Sequence, residues 1–230
     1  MMRSARSQVM WVAAAGAVGF ASAFVFSDVL ALPRRWFLVP HAIVTIAFLL
    51  AYARWSGTEL RRLFSRRFGF GALGALVLGA MLSLNVLGQQ PSQRAQGLEL
   101  WLDLAWLGVV YGALDALLLS VLPVVAAWRA CAQLGWTRRW RDRLGAAALG
   151  IVASAYVTSA YHAGYAEFRA PNTLAKAVAG NAMMSSAQLL TASPVAATGS
   201  HIIMHIAAVL HGPDTTVQLP PHRARRSPAL

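Results

Sequence analysis

The sequence predicts an all-α, polytopic membrane protein with six to seven transmembrane helices, eight at most, and a basic amphipathic helix on the membrane surface. Three observations support this fold class. Hydrophobic residues make up 57% of the 230 residues and charged residues only 12%, whereas soluble domains carry about 25% charged residues. Apolar stretches of about 20 residues, long enough to cross a bilayer, recur along the chain. The arginines cluster between those stretches, where the positive-inside rule places them.

Charge and cysteine content exclude two other classes of protein. The formal net charge is +12, but the basic residues flank apolar spans, so we expect no nucleic-acid partner. Cys131 is the only cysteine, which excludes an intramolecular disulfide framework and a cysteine-built zinc finger.

The first two predicted spans are Val9–Leu32 and Trp36–Tyr52. The apolar part of span one is longer than that of a typical signal peptide, so we expect it to be retained as a membrane anchor. His41 follows Pro40 at the start of span two, and we predict an interfacial position for this histidine.

The stretch Ser56–Phe68 is predicted to form the amphipathic surface helix. Ser56 and Glu59 have the spacing of a capping box. Apolar side chains alternate with arginines at helical spacing, which is typical of a helix on an anionic membrane surface. We therefore expect anionic lipid headgroups as partners of its four arginines, Arg61, Arg62, Arg66 and Arg67.

The middle of the chain contains two further apolar stretches. Span three is predicted at Phe70–Leu87, where Gly71, Ala75 and Gly79 form a small-residue ridge suited to internal helix packing. Leu98–Trp128 is apolar for 31 residues, which is more than one crossing needs. It is either one tilted helix or a short interfacial helix that leads into span four.

Spans five, six and seven are predicted in the remainder, at Leu144–Tyr165, Ala175–Ala192 and Pro194–His211. The helical domain is expected to cover residues 1–211, and residues 212–230 are expected to be a disordered tail rich in proline and arginine. The arginine-rich second and fourth loops predict a cytoplasmic N-terminus in a bacterial inner membrane. The weakly apolar span six and the charge balance favour a re-entrant span six, with the tail returned to the inside.

Polar side chains inside the spans form stripes on single helix faces. A lipid-facing polar stripe would be unfavourable, so the stripes predict an inward polar pocket within the membrane. Span four contributes Tyr111 and Asp115, and the three spans that follow contribute Ser154, Thr158 and His162, then Asn181, Ser185 and Gln188, then Thr198, His201 and His205.

His201 and His205 are the strongest candidate metal ligands, because an i, i+4 spacing puts both imidazoles on one face of a helix. His162 is the best candidate for a third ligand. Asp115 is either a fourth ligand or the group that holds and deprotonates a bound water. A zinc ion with three nitrogen ligands and an open position would make hydroxide available for hydrolysis. Without a metal, the same histidines would hydrogen-bond neighbouring helices or carry protons.

The order of these residues resembles the CPBP family, the CAAX-prenyl-protease and bacteriocin-processing membrane proteins. That family has an acidic Glu-Glu-x-x-x-Arg helix, then Phe-x-x-x-His, then His-x-x-x-Asn. This sequence has Asp115 at the acidic position, Thr158 through His162 at the second motif and His201 through His205 at the third. The glutamate pair and its arginine are absent, and Thr158 and His205 replace the family's phenylalanine and asparagine. The resemblance implies that Asp115 acts as the base and that His162 and His201 assist it.

His201 and His205, together with one more histidine and an aspartate, also resemble the metal site of the alkaline-ceramidase and adiponectin-receptor superfamily. The members of that superfamily are seven-span, zinc-dependent lipid amidases. The two resemblances together imply an intramembrane hydrolase of membrane peptides or lipid amides. Its pocket would be lined by Asp115, His162, His201 and His205. The alternatives are a non-catalytic scaffold or partner protein and a small proton-coupled transporter.

Overall fold

The structure is a computed structural model that describes residues 4–221. The helices are α1 (Ala5–Val29, α-helical to Ala23 and π-helical from Phe24), α2 (Arg34–Ser56), α3 (Leu60–Ser65), α4 (Phe68–Leu87), α5 (Gly97–Gln133), α6 (Trp140–Ala163), α7 (Pro171–Thr191) and α8 (Pro194–His211). A short 3₁₀ turn, Ala166–Arg169, connects α6 to α7.

Six of these helices are long and apolar enough to cross a membrane: α1, α2, α4, α5, α6 and α8. The predicted fold class is therefore confirmed, and the chain is an all-α polytopic membrane protein. Helix α5 is continuous over 37 residues, or about 55 Å at 1.5 Å per residue. Of the two alternatives for the long apolar stretch, the structure therefore has the single helix.

Helix α7 also runs from one end of the bundle to the other. Its start follows Arg169, which forms an ion pair with Asp28 near the end of α1. Its last residue, Thr191, packs beside Gly74 near the start of α4. These two points lie at opposite ends, because α2 begins where α1 finishes and crosses the bundle before α4 begins. The prediction of a re-entrant span six is therefore wrong. Helix α7 tolerates polar side chains because residues such as Asn181 pair with neighbouring helices.

The helix that follows, α8, returns to the end where α1 finishes. The backbone N–H of Ser92, in the loop between α4 and α5, donates to the carbonyl of His211 at 3.3 Å. The next residues stay at this end. Arg34 pairs with Asp214 at 3.2 Å and donates to the carbonyl of Pro220 at 2.9 Å, and Leu219 is buried.

Residues 212–221, the first part of the predicted tail, therefore lie against the bundle. Arg34 binds them, and Leu219 adds to the apolar core. Residues 222–230 lie outside the described part of the chain.

The surface helix is shorter than the sequence predicts. Helix α2 continues to Ser56 and ends at Gly57, whose left-handed backbone (φ 64°) terminates it. The Ser56 hydroxyl lies 2.5 Å from that of Thr58, and Glu59 precedes α3 without a side-chain cap. The predicted capping box is therefore wrong. The four arginines of this segment are exposed, as expected.

The small-residue ridge of α4 packs inside the protein, against α8. A Cβ on Gly79 would lie 2.8 Å from the side chain of Ile203, and Gly199 of α8 sits against Ala75. On its other side, α8 packs against α5. Helix α8 is thus held between two helices, which places its histidines in the interior.

Candidate metal centre

Asp115 of α5 and the two histidines of α8 form one buried cluster. One potential ligand atom from each of Asp115, His201 and His205 lies within 4.8 Å of the others. The Nε2 atom of His205 is 3.8 Å from Oδ2 of Asp115. The two imidazole rings stack, with centroids 5.9 Å apart and planes 11° from parallel. At most 4% of any of the three residues is exposed.

Two glycines of α5 explain why the aspartate meets the histidines. A Cβ on Gly112 would lie 3.0 Å from Cα of Ile202 and 3.2 Å from the His205 ring. At Gly108, one turn earlier, a Cβ would lie 2.9 Å from the Ile206 side chain. The absence of side chains here lets the backbones of α5 and α8 approach closely. Asp115, three residues after Gly112 and on the same side of the helix, then faces the imidazoles.

The helical register of α5 changes on both sides of this turn. The α-helical turn Tyr111–Ala116, which contains Asp115, lies between the π-helical segments Leu104–Val110 and Leu117–Val121. Each π-helical segment rotates the side chains that follow it relative to a regular α-helix. Such segments occur frequently at functional sites, and here the first of them, which precedes Asp115, contributes to the direction of that side chain.

Polar atoms of the cluster are buried without a hydrogen-bond partner among the described residues. They include Oδ1 of Asp115 and Nδ1 of His201. More than about nine in ten buried polar groups in proteins are hydrogen-bonded. A cation held between a carboxylate and imidazole nitrogens would satisfy such atoms. Two histidines and one carboxylate are a known ligand set of catalytic zinc, in which a fourth position stays open.

His162 is not brought to this cluster. Within residues 4–221, the only group of His, Cys, Asp and Glu side chains that meets the geometry for a metal contains Asp115, His201 and His205. The Nδ1 atom of His162 is 2.9 Å from the carbonyl oxygen of Thr158, one turn earlier in α6. Its ring lies against Phe168. Asp115 therefore takes the position that the sequence assigned to His162 as third ligand.

A chain of tyrosine hydroxyls lies beside the cluster. Tyr165 donates to Tyr161 at 2.6 Å, and the Tyr161 and Tyr111 hydroxyls are 2.8 Å apart. The Tyr111 ring meets His205 edge-on, with centroids 4.8 Å apart. Burial raises the pKa of the Tyr165 phenol well above its ordinary value, which keeps it protonated as a donor. Sequence reasoning missed Tyr161 and Tyr165 as site residues, although their spacing of four predicts a shared helix face.

His41 is a second residue whose predicted place is wrong. The sequence predicts an interfacial histidine, but His41 is fully buried, with Nδ1 3.3 Å from the Ser22 hydroxyl. Its ring lies 6.0 Å from that of Tyr111 and 5.7 Å from that of Tyr161, measured between centroids. The reason is that α2 begins at Arg34, two turns earlier than His41. The histidine therefore lies inside the bundle rather than at its rim.

Part of the remaining polar stripes forms a separate network around Asn181, whereas Oε1 of Gln188 and Oγ1 of Thr198 are buried without a hydrogen-bond partner among the described residues. The Asn181 amide donates to the Ser154 and Thr158 hydroxyls at 2.7 and 2.6 Å, and its oxygen accepts from Ser120 at 2.6 Å. Ser154 also bonds Ser185 at 2.7 Å. These bonds tie α5, α6 and α7 together. The single polar pocket predicted from the stripes is therefore two sites, a satisfied hydrogen-bond network and the Asp115, His201 and His205 cluster.

No protein-family model, curated protein or solved structure matches this chain. The fold and the site define its class: a polytopic helical membrane protein with a buried Asp/His cluster.

Proposed function

We propose that this protein is an intramembrane, metal-dependent hydrolase whose metal is held by Asp115, His201 and His205. The observation that carries the proposal is the convergence of these three ligand atoms within 4.8 Å of one another, all buried. A charged or polar group at membrane depth is costly, so such groups commonly serve a binding or catalytic role.

The residues around the cluster have distinct parts in this proposal. Asp115, His201 and His205 hold the ion, which when bound supplies Lewis acidity and an activated water. The Tyr111 ring meets His205 edge-on, and its hydroxyl is 2.8 Å from that of Tyr161. In this proposal, the two hydroxyls orient a polar group of the substrate at the cluster. His162 has no ligand role in the proposal.

The substrate class follows from the two family resemblances and from the depth of the site. Both resemblances imply cleavage of an amide or peptide bond in a membrane-embedded substrate. We therefore propose a membrane peptide or a lipid amide as the substrate, and zinc as the metal, since two imidazoles and a carboxylate suit it.

The proposed orientation places the N-terminus in the cytoplasm of a bacterium. Gln8 near the start of α1 accepts from the Tyr52 hydroxyl near the end of α2 at 3.1 Å. The start of α1 thus lies at the same end as the arginine-rich segments, which the positive-inside rule places on the cytoplasmic side.

Metal analysis of the detergent-purified protein tests the proposal. We expect about one zinc per chain, as in a three-ligand catalytic site, and its loss in the double variant His201→Ala/His205→Ala and in Asp115→Asn. The matched control is His162→Ala, which removes a histidine of another span outside the cluster and should retain the metal.

Hydrolysis is then measured with lipid amides and membrane peptides, with and without a chelator. Chelator-sensitive cleavage that His162→Ala retains and Asp115→Asn loses would support the proposal. A wild-type protein that contains no metal after reconstitution with zinc would refute it. The non-catalytic partner protein and the proton-coupled transporter would then be the functions to pursue.

A further inference from the structure

An apolar groove lies between α2, α3 and α5, away from the Asp/His cluster. Its volume is about 190 Å³. Its walls are almost wholly apolar. They include Leu49 and Leu50 of α2, Leu63 and Phe64 of α3, and Leu117 and Val121 of α5.

The polar contacts of the groove are confined to one end. Tyr52 and Thr58 are the hydroxyl-bearing residues that line it, and both lie near the junction of α2 with α3. Helix α3 forms the wall at this end. Its Leu63 and Phe64 are half-buried, whereas no residue of α3 is fully buried.

Four cations lie on the same short segment. Arg61 and Arg62 in α3, and Arg66 and Arg67 directly after it, are all exposed. None of the four forms an ion pair through its side chain among those found in the described residues. An apolar slot walled in part by α3, whose segment carries four exposed arginines, is complementary to an amphiphile with an apolar chain and an anionic head.

We propose that this groove binds one anionic phospholipid, with an acyl chain between α2 and α5 and the phosphate at the arginines of α3. A lipid fits the lining better than a protein partner does, because the almost wholly apolar walls suit an alkyl chain and offer few groups that could pair with a peptide backbone. The charge favours an anionic head over a zwitterionic one, since each arginine near an anionic surface contributes about 1 kcal/mol. This site is independent of the proposed metal chemistry.

Native mass spectrometry of the purified protein tests the proposal. The probes are phosphatidylglycerol and phosphatidylcholine with identical acyl chains. We expect one phosphatidylglycerol to be retained per chain, with an apparent affinity at least about tenfold higher than that of phosphatidylcholine. Equal retention of the two lipids would overturn the proposal.

Two variants separate the head site from the chain site. Replacing Arg61, Arg62, Arg66 and Arg67 together by Gln should lower phosphatidylglycerol affinity at least about tenfold. The matched control replaces Arg138, Arg139, Arg141 and Arg143 by Gln, which removes the same charge from the next arginine-rich segment and should leave retention unchanged. The groove-filling variant Val121→Phe should reduce retention of both lipids.

Folding is checked by circular dichroism for every variant. An equal loss in the two arginine variants would overturn the proposal, because it would show attraction to net charge rather than a site. Unchanged retention in a folded Val121→Phe protein would overturn it as well, because the chain would then lie elsewhere.

Discussion

Replacing Gly112 by alanine should both destabilise the protein and weaken its metal centre. An alanine Cβ at this position would lie 3.0 Å from Cα and 3.2 Å from N of Ile202, and 3.2 Å from Cδ2 of His205. Ordinary contacts of a Cβ are 3.4–4 Å. Two of the three neighbours are backbone atoms of α8, so a rotamer change cannot relieve the contact. The two helices must therefore separate by a few tenths of an ångström.

The expected magnitude follows from two opposing effects. Alanine stabilises a helix interior by about 0.8–1 kcal/mol relative to glycine. Overpacking a close contact costs about 1–3 kcal/mol. We expect a net loss of up to about 2 kcal/mol in the free energy of unfolding. Because the same separation moves Asp115 away from His201 and His205, zinc affinity should also fall by about 10-fold or more.

The assay is unfolding in mixed detergent micelles, followed by circular dichroism, together with zinc titration of the folded protein. Gly145→Ala and Gly180→Ala are matched controls, because a Cβ at either helical position meets no atom within 4 Å. These variants should gain about 0.5–1 kcal/mol and keep the wild-type zinc affinity. Gly108→Ala should be intermediate, since its nearest neighbour is the side chain of Ile206.

A Gly112→Ala protein as stable as Gly180→Ala would show that the close contact at Gly112 does not limit stability. A destabilised Gly112→Ala protein that binds zinc with unchanged affinity would contradict the link to the metal centre. The second result would show that the close approach of α5 to α8 serves packing alone.

Three further substitutions test other parts of the structure. Asn181→Ala removes hydrogen bonds to neighbouring helices and should cost about 2–4 kcal/mol, since such bonds average about 0.6 and reach about 1.7 kcal/mol each in membranes. The control in the same unfolding assay is Ser186→Ala, because the Ser186 hydroxyl bonds the carbonyl of Ala182 in its own helix. This control should change stability by under about 0.5 kcal/mol. A difference of less than about 1 kcal/mol between those two variants would contradict the network. Arg35 bonds Glu99 and Asp103 at 2.8 Å and is half-exposed, so Arg35→Ala should cost under about 1 kcal/mol. A larger loss of stability on thermal unfolding would be inconsistent with a surface ion pair. His41→Leu should leave stability within about 1 kcal/mol and leave metal content unchanged, because Nε2 of His41 has no hydrogen-bond partner in residues 4–221 and Ser22 still donates to Gly19. Zinc loss in that variant would place His41 at the metal centre.

Local features of the sequence were enough to predict the helices that cross the membrane. Span seven was predicted at Pro194–His211, and the structure has α8 with the same bounds. Hydrophobic length determines such helices, because every backbone polar group must be satisfied inside the segment that crosses the bilayer. The internal packing of the Gly71–Gly79 ridge was predictable for a related reason, since small residues four apart form a flat helix face.

The loops and helix ends were predicted less well. The capping box at Ser56 and the re-entrant span six both failed. For span six and for residues 212–221, contacts with other segments decide the arrangement. Polar side chains of α7 are satisfied by α5 and α6, and Arg34 binds the segment after α8. Composition does not show such partners.

The candidate site shows the same division. The spacing of His201 and His205 predicted that they share one face of a helix, because 3.6 residues per turn bring i and i+4 together. The apolar residues around Asp115 likewise predicted that it lies within a membrane span. The packing of the helices was needed to show that Asp115, rather than His162, completes the cluster, and that His41 lies in the interior. Local spacing does not show these contacts, because the meeting of α5 and α8 depends on the close approach at Gly112 and on the register set by the π-helical segment before Asp115.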